Sequence, residues 1–124
     1  MRAFETGATR DLDLNKFDYE GFLSPLVVER FAAYMNEHRR QADGNLRDSD
    51  NWQKGMPTSV YMKSMWRHFM DVWKIHRSEH LAPGVGARGI VNVTTKEKED
   101  ALCALLFNVQ GYLLETMRNE TNKD

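Results

Sequence analysis

At 124 residues the chain has room for one domain with one core, and its 41% hydrophobic and 28% charged residues exclude a disordered or fibrous class. Its 17 basic and 18 acidic residues are interspersed and leave a net charge of −1, which excludes the basic footprint of a duplex nucleic-acid binder. The single cysteine, Cys103, excludes a disulfide framework or a cysteine-based zinc site within one chain.

No apolar run approaches the roughly 18 to 20 residues of a membrane span, so no membrane association is expected. The start Met1-Arg2-Ala3-Phe4-Glu5 lacks the pattern of a signal peptide, and a reducing, cytoplasmic location is the expectation.

Residues 1–23 read as an irregular arm whose Leu12, Leu14, Phe17, Tyr19 and Phe22 pack onto the rest of the chain. Ser24-Pro25 is an N-cap followed by proline at the first helical position, predicting a helix to about Arg40. Val27, Phe31, Tyr34 and Met35 form its apolar face. Residues 41–57 carry Asp43-Gly44, Gly55 and Pro57 without periodicity and read as a long loop, which Trp52 keeps ordered.

From Thr58 to Arg77, Tyr61, Met65, Trp66, Phe69, Val72 and Trp73 are among apolar residues covering most of the circumference, predicting a central helix buried on several sides. A narrow polar strip remains, with Lys63, Ser64, Arg67, Asp71 and Lys74 at helical spacing and His68 at its border. Gly89 to Val93 read as a short extended segment. Thr94-Thr95-Lys96-Glu97 forms a capping-box pattern opening a last helix, whose Leu102, Leu105, Leu106, Val109 and Leu113 supply a broad core surface. A second stripe, Ala101, Ala104, Asn108, Gly111 and Glu115, is small enough for close approach by a helix or a ligand. The tail 119–124 is expected to fray.

Each constellation has two readings. Asp71 can hold a divalent cation with His68 positioning water, or Asp71 can pair with Arg67 four residues earlier while His68 hydrogen-bonds in the core. Glu97 and Asp100 are a Glu-x-x-Asp suited to one cation, although a capping box explains Glu97 equally well. Glu29 is a further candidate carboxylate or an ordinary exposed one. Arg10, Lys16, Lys54 and Arg67 are phosphate contacts or solvated charges. Trp52 stacks on a base or packs on the domain. His38, His76 and His80 make no spaced zinc motif.

In their order and spacing, Gly7-Ala8-Thr9-Arg10-Asp11, Lys16 to Tyr19, Ser24-Pro25-Leu26, Asn51-Trp52-Gln53-Lys54-Gly55, Arg67-His68-Phe69 and Ala101 to Asn108 resemble a phage-associated family. This family comprises the dATP/dGTP diphosphohydrolase N-terminal domains, similar to the all-α, MazG-like nucleoside triphosphate pyrophosphatases. The resemblance spans roughly residues 6–115. It implies one all-α domain over 1–124, a compact bundle of three main helices with a long ordered loop and a short extra element. It also implies Mg²⁺-dependent (or Mn²⁺-dependent) cleavage of a purine (deoxy)nucleoside triphosphate to a monophosphate and pyrophosphate, in the host cytoplasm if phage-encoded.

On that resemblance Asp71, Asp100, Glu29 and Glu97 hold metal, and Arg10, Lys16, Lys54 and Arg67 contact phosphates. Asn51 and Trp52 contact the substrate, while His68 and Asn108 orient water or substrate beside Asp71. The chain departs from the MazG-like pattern in having no Glu-x-x-Glu, with His68-x-x-Asp71 on the central helix instead. That leaves open a catalytically inactive nucleotide-binding module, or one that inhibits a host-defence protein, on the same scaffold. Three helices of this length bury little core alone, so a homo-oligomer is expected.

Overall fold

The computed structural model describes residues 1–13, 15–79 and 93–121. It is mostly helical among these residues, and two compact units are distinguishable, 1–30 and 31–124.

The first unit is more regular than the expected arm. Strands β1 (Arg2–Ala3) and β2 (Thr9–Arg10) pair antiparallel, with Arg2 opposite Arg10 and Ala3 opposite Thr9. The Arg2 guanidinium fixes the segment that follows, through Asp13 Oδ1 at 3.0 Å and the Asp11 carbonyl at 3.2 Å. Helix α1 (Tyr19–Phe22) is a single turn capped by Asp18, whose Oδ1 accepts from the Gly21 N–H at 2.8 Å. Such polar local bonds carry no hydrophobic periodicity, which is why the sequence pattern misses them.

Helix α2 (Pro25–Glu37) starts as expected: Ser24 Oγ accepts from the Val27 N–H at 3.4 Å. It ends three residues before Arg40. The chain there turns into a short antiparallel excursion, in which Arg40 bridges Leu46 and the Arg47 N–H donates to the Arg39 carbonyl at 2.7 Å. The loop then holds a 3₁₀ turn, Asn51–Lys54, closed by Gly55 at φ +88°, a left-handed value that L side chains rarely adopt.

Helices α3 (Thr58–Glu79) and α4 (Thr95–Thr121) form the packed pair of the second unit. Tyr61 meets Gly111 near one end, and Lys98 reaches Glu79 at 2.9 Å near the other, so the two run antiparallel. The α4 cap is the expected one, with Thr94 Oγ1 accepting from the Glu97 N–H at 3.1 Å. Helix α4 continues through Asn119 to Thr121, past the point where fraying was expected; Arg118 in its last turn suits the negative end of the helix dipole.

The small-residue stripe makes the contact. Ala104, Asn108 and Gly111 are buried, and a Cβ on Gly111 would overlap the Tyr61 ring, so only glycine allows this approach. Tyr61, Ile75, Cys103 and Ala104 are the buried apolar residues among those described.

One expectation is overturned here. Among the described residues helix α3 is not buried on several sides: Trp66, Phe69 and Trp73 are exposed, and α4 is the helix in extensive contact with it. Among the described residues no helix is long and apolar enough to cross a membrane. His80 and the extended segment expected at Gly89–Val93, apart from Val93, lie outside the described residues, as do residues 122–124.

Candidate functional site

Two cavities adjoin in the second unit. The larger, about 580 Å³, lies among the end of α2, the loop and the middle of α3, and is lined by Arg39, Arg47, Asn51, Trp52, His68 and Asn108 among others. The second, about 410 Å³, is lined by Asp71, Glu97 and Asp100 with Ile75 and Ala104 behind them. Tyr34, His38 and His68 line both. The two volumes fall in the range of small-molecule sites, and their shared wall makes them compartments of one cleft.

The compartments differ in charge. The larger carries two guanidiniums against one carboxylate, Asp48, whereas three carboxylates line the smaller. Arg39 and Arg47 brace each other: Arg39 Nε donates to the Arg47 carbonyl at 2.8 Å, and an Arg47 terminal N–H donates to the His38 carbonyl at 3.1 Å. Each guanidinium is thereby oriented and keeps further N–H donors, the arrangement that suits recognition of an anion. Asp43 sets the turn between them by accepting the Asn45 N–H at 2.9 Å.

At the shared wall the Tyr34 and His38 rings stack at 4.1 Å between centroids, and His38 Nδ1 lies 2.9 Å from the Tyr34 carbonyl. Burial pushes the Tyr34 phenol above its ordinary value, and the neighbouring Asp100 carboxylate and Cys103 thiol push the same way, so Tyr34 is a neutral donor at physiological pH. Asn108 is buried and donates Nδ2–H to the Ala104 carbonyl at 2.8 Å.

The structure brings together His68, Asp71, Asn108, Asn51, Trp52, Asp100 and Glu97 on the walls of this cleft. Lys54 and Arg67 are exposed and line neither compartment. Arg67 donates to Ser64 Oγ at 2.9 Å. Arg10, Lys16 and Glu29 are exposed residues of the first unit, where Lys16 Nζ lies 3.9 Å from Asp13.

Tyr34, His38, Arg39 and Arg47 are site residues that sequence reasoning missed. The four-residue step from Tyr34 to His38 was the available signal. The two arginines had none, since the turn over 39–47 is what brings them together.

Among the described residues no three His, Cys, Asp or Glu side chains converge as a cation requires. Asp71, Glu97 and Asp100 offer oxygen donors of the right kind for Mg²⁺. Lys96 Nζ, however, already holds Asp100 Oδ2 at 2.8 Å and Glu37 Oε2 at 3.2 Å. Compared with family models, curated proteins and solved structures, the chain matches none.

Proposed function

We propose that the cleft binds a purine (deoxy)nucleoside triphosphate, as its Mg²⁺ or Mn²⁺ complex, and hydrolyses it to a nucleoside monophosphate and pyrophosphate. One observation carries the reading: a cationic compartment with an aromatic wall adjoins an acidic one, and the residues between them are Tyr34, His38 and His68. A triphosphate that arrives with its cation presents the complementary sequence of groups, an aromatic base, an anion and a cation.

In this reading Trp52 stacks on the base, a contact worth about 1–3 kcal/mol. Arg39 and Arg47 hold phosphate oxygens, and Tyr34 donates a further hydrogen bond. His68 accepts the proton of the attacking water as its oxygen bonds to phosphorus and the bridging P–O bond between the α and β phosphates breaks, with pyrophosphate leaving. Asn108 orients the nucleotide or the water. Asp71 and Asp100 face the cation carried by the substrate, whose chemistry is to neutralise the charge that develops on the leaving phosphates.

A second reading keeps the binding and drops the hydrolysis. It is favoured by the Lys96 clamp on Asp100 and by the absence of three converging acidic or imidazole groups among the described residues.

The test is pyrophosphate release from a panel of nucleoside triphosphates with Mg²⁺ or Mn²⁺ and with a chelator control. Metal-dependent release, highest for dATP or dGTP, is the expected result. Thermal stabilisation by the nucleotide without release establishes the second reading, and neither effect refutes both.

A further inference from the structure

The carboxylate that ends the small-residue stripe of α4 has no part in the cleft. Glu115 lines neither compartment, yet its side chain is only 14% exposed and is paired with Arg118, Oε1 to Nη1 at 3.0 Å. An ion pair held mostly out of water is no more stabilising than apolar side chains of the same size, so stability alone gives no reason for a charge on this stripe. Tyr61 of α3 meets α4 one turn earlier, at Gly111, and presents a second such group: it is fully buried, and its hydroxyl has no hydrogen-bond partner among the described residues. The Tyr61 phenol is raised first by burial and then by the Glu115 carboxylate, which is close enough to act on it. Groups that break the packing rules at one place mark that place as functional.

What borders the pair is the turn that carries Trp52. Gly55 closes this turn, with φ at +88°, by donating its N–H to the Trp52 carbonyl at 3.3 Å. A methyl group on Gly55 would stand 3.5 Å from Arg118 Nη1 and 3.6 Å from Glu115 Oε1, ordinary contact distances. Asn51, Trp52 and Met56, on either side of Gly55 in the chain, line the larger compartment. Gly55 therefore has the cleft on both flanks and the ion pair beside it. A four-residue 3₁₀ turn has poorer hydrogen-bond geometry than an α-helix, so its placement depends on what it rests against.

Resting on the nucleotide reading of the cleft, we propose that the Glu115–Arg118 pair positions the Trp52 turn for the purine base. The pair is a seat on α4 that holds Gly55, and through Gly55 the indole, at the wall of the larger compartment. Neither side chain touches the substrate. Both act on affinity through Trp52.

The experiment starts from the Trp66→Phe/Trp73→Phe protein, in which Trp52 is the sole indole, with and without Glu115→Gln. Acrylamide quenching reads the exposure of Trp52 without ligand, and equilibrium binding of α,β-methylene dATP or dGTP with Mg²⁺ reads the site. Glutamine keeps the shape of the side chain and removes its charge. Quenching is expected to rise, and affinity to fall at least about fivefold, the lower end of what one stacked base contributes. In a Trp52→Ala protein the same Glu115→Gln change is expected to leave affinity as it was, because the group it positions is gone.

Unchanged quenching of Trp52 with intact nucleotide binding overturns the proposal and leaves the nucleotide reading standing. An equal loss of affinity with and without Trp52 also overturns it, since a general loosening of α4 has that effect. Absence of binding by the wild-type chain overturns the nucleotide reading and the positioning role with it. Should Glu115→Gln not fold, Arg118→Met removes the other partner and Arg118→Lys keeps the charge. The methionine variant is expected to reproduce both effects and the lysine variant to retain wild-type behaviour, and two variants that behave alike overturn the proposal.

Discussion

Replacing Tyr61 by Phe should stabilise the protein. Tyr61 is fully buried, and its hydroxyl has no hydrogen-bond partner among the described residues. Its ring packs edge-on against Phe107 at 6.2 Å and lies against Gly111, contacts that Phe preserves. A buried, unsatisfied hydroxyl costs about 1–3 kcal/mol in lost hydration. Removing the oxygen leaves a vacancy of roughly 10–15 Å³, which at ~24 cal/mol per Å³ subtracts only about 0.3 kcal/mol. The net expectation is a gain of about 1–2 kcal/mol, equivalent to a melting temperature higher by roughly 4–8 °C for a chain of this size.

The assay is urea unfolding at neutral pH followed by circular dichroism, with an unchanged m-value as the check that stability alone has moved. A Tyr61→Phe protein less stable than wild type refutes the reasoning, because the hydroxyl must then be bonded. Glu115, whose carboxylate lies close enough to help push the phenol upward, is the partner to examine by a double-mutant cycle.

Gly111→Ala should destabilise by at least about 2 kcal/mol despite alanine's better helix propensity, because its Cβ would overlap the Tyr61 ring; urea unfolding reads this directly. Asp71→Ala and Asp100→Ala should each abolish nucleotide turnover, and both should melt within a few degrees of wild type, since neither is part of the apolar core; two unfolded variants would show the aspartates to be structural. Stability should decline in alkali. Tyr34 and Tyr61 are both raised, first by burial, so the folded chain keeps its phenolic protons after the unfolded chain loses them. Their contribution is therefore whole below the unfolded phenol value of about 10 and is lost as pH climbs through the raised folded values. Lys96, raised by its bonds to Asp100 and Glu37, adds to the same decline, and a Tyr34→Phe/Tyr61→Phe protein should show a shallower fall in urea midpoint between about pH 9 and 11.

The elements legible in the sequence are those whose signal is local. Ser24-Pro25 and Thr94 to Glu97 mark two helix starts within a residue, because a cap is decided by the four residues that make it. Helical spacing placed His68 with Asp71 on one helix and Asp100 with Asn108 on another, whereas the grouping of all four was what the family resemblance implied. Arg39 and Arg47 were not legible, since they meet through backbone hydrogen bonds made after the chain reverses at Asp43-Gly44. Of the basic residues singled out instead, Lys54 and Arg67 line neither compartment, and charge alone does not place a side chain.

The burial of α3 was misjudged for an instructive reason. Periodicity reports that a surface needs cover without reporting what covers it, and here the contact with α4 is made on the side that carries the smallest residues. Gly111, Ala104 and Asn108 let the helices approach closely, at the cost of spending little apolar area on the contact. Several large apolar side chains of both helices, Trp66, Trp73, Leu102 and Leu113, are left exposed. In a two-helix pair complete in itself, the large residues would sit in the seam and the small ones outside, because burial free energy scales with area. The opposite distribution leaves large apolar side chains of both helices, the two indoles among them, exposed in the described structure.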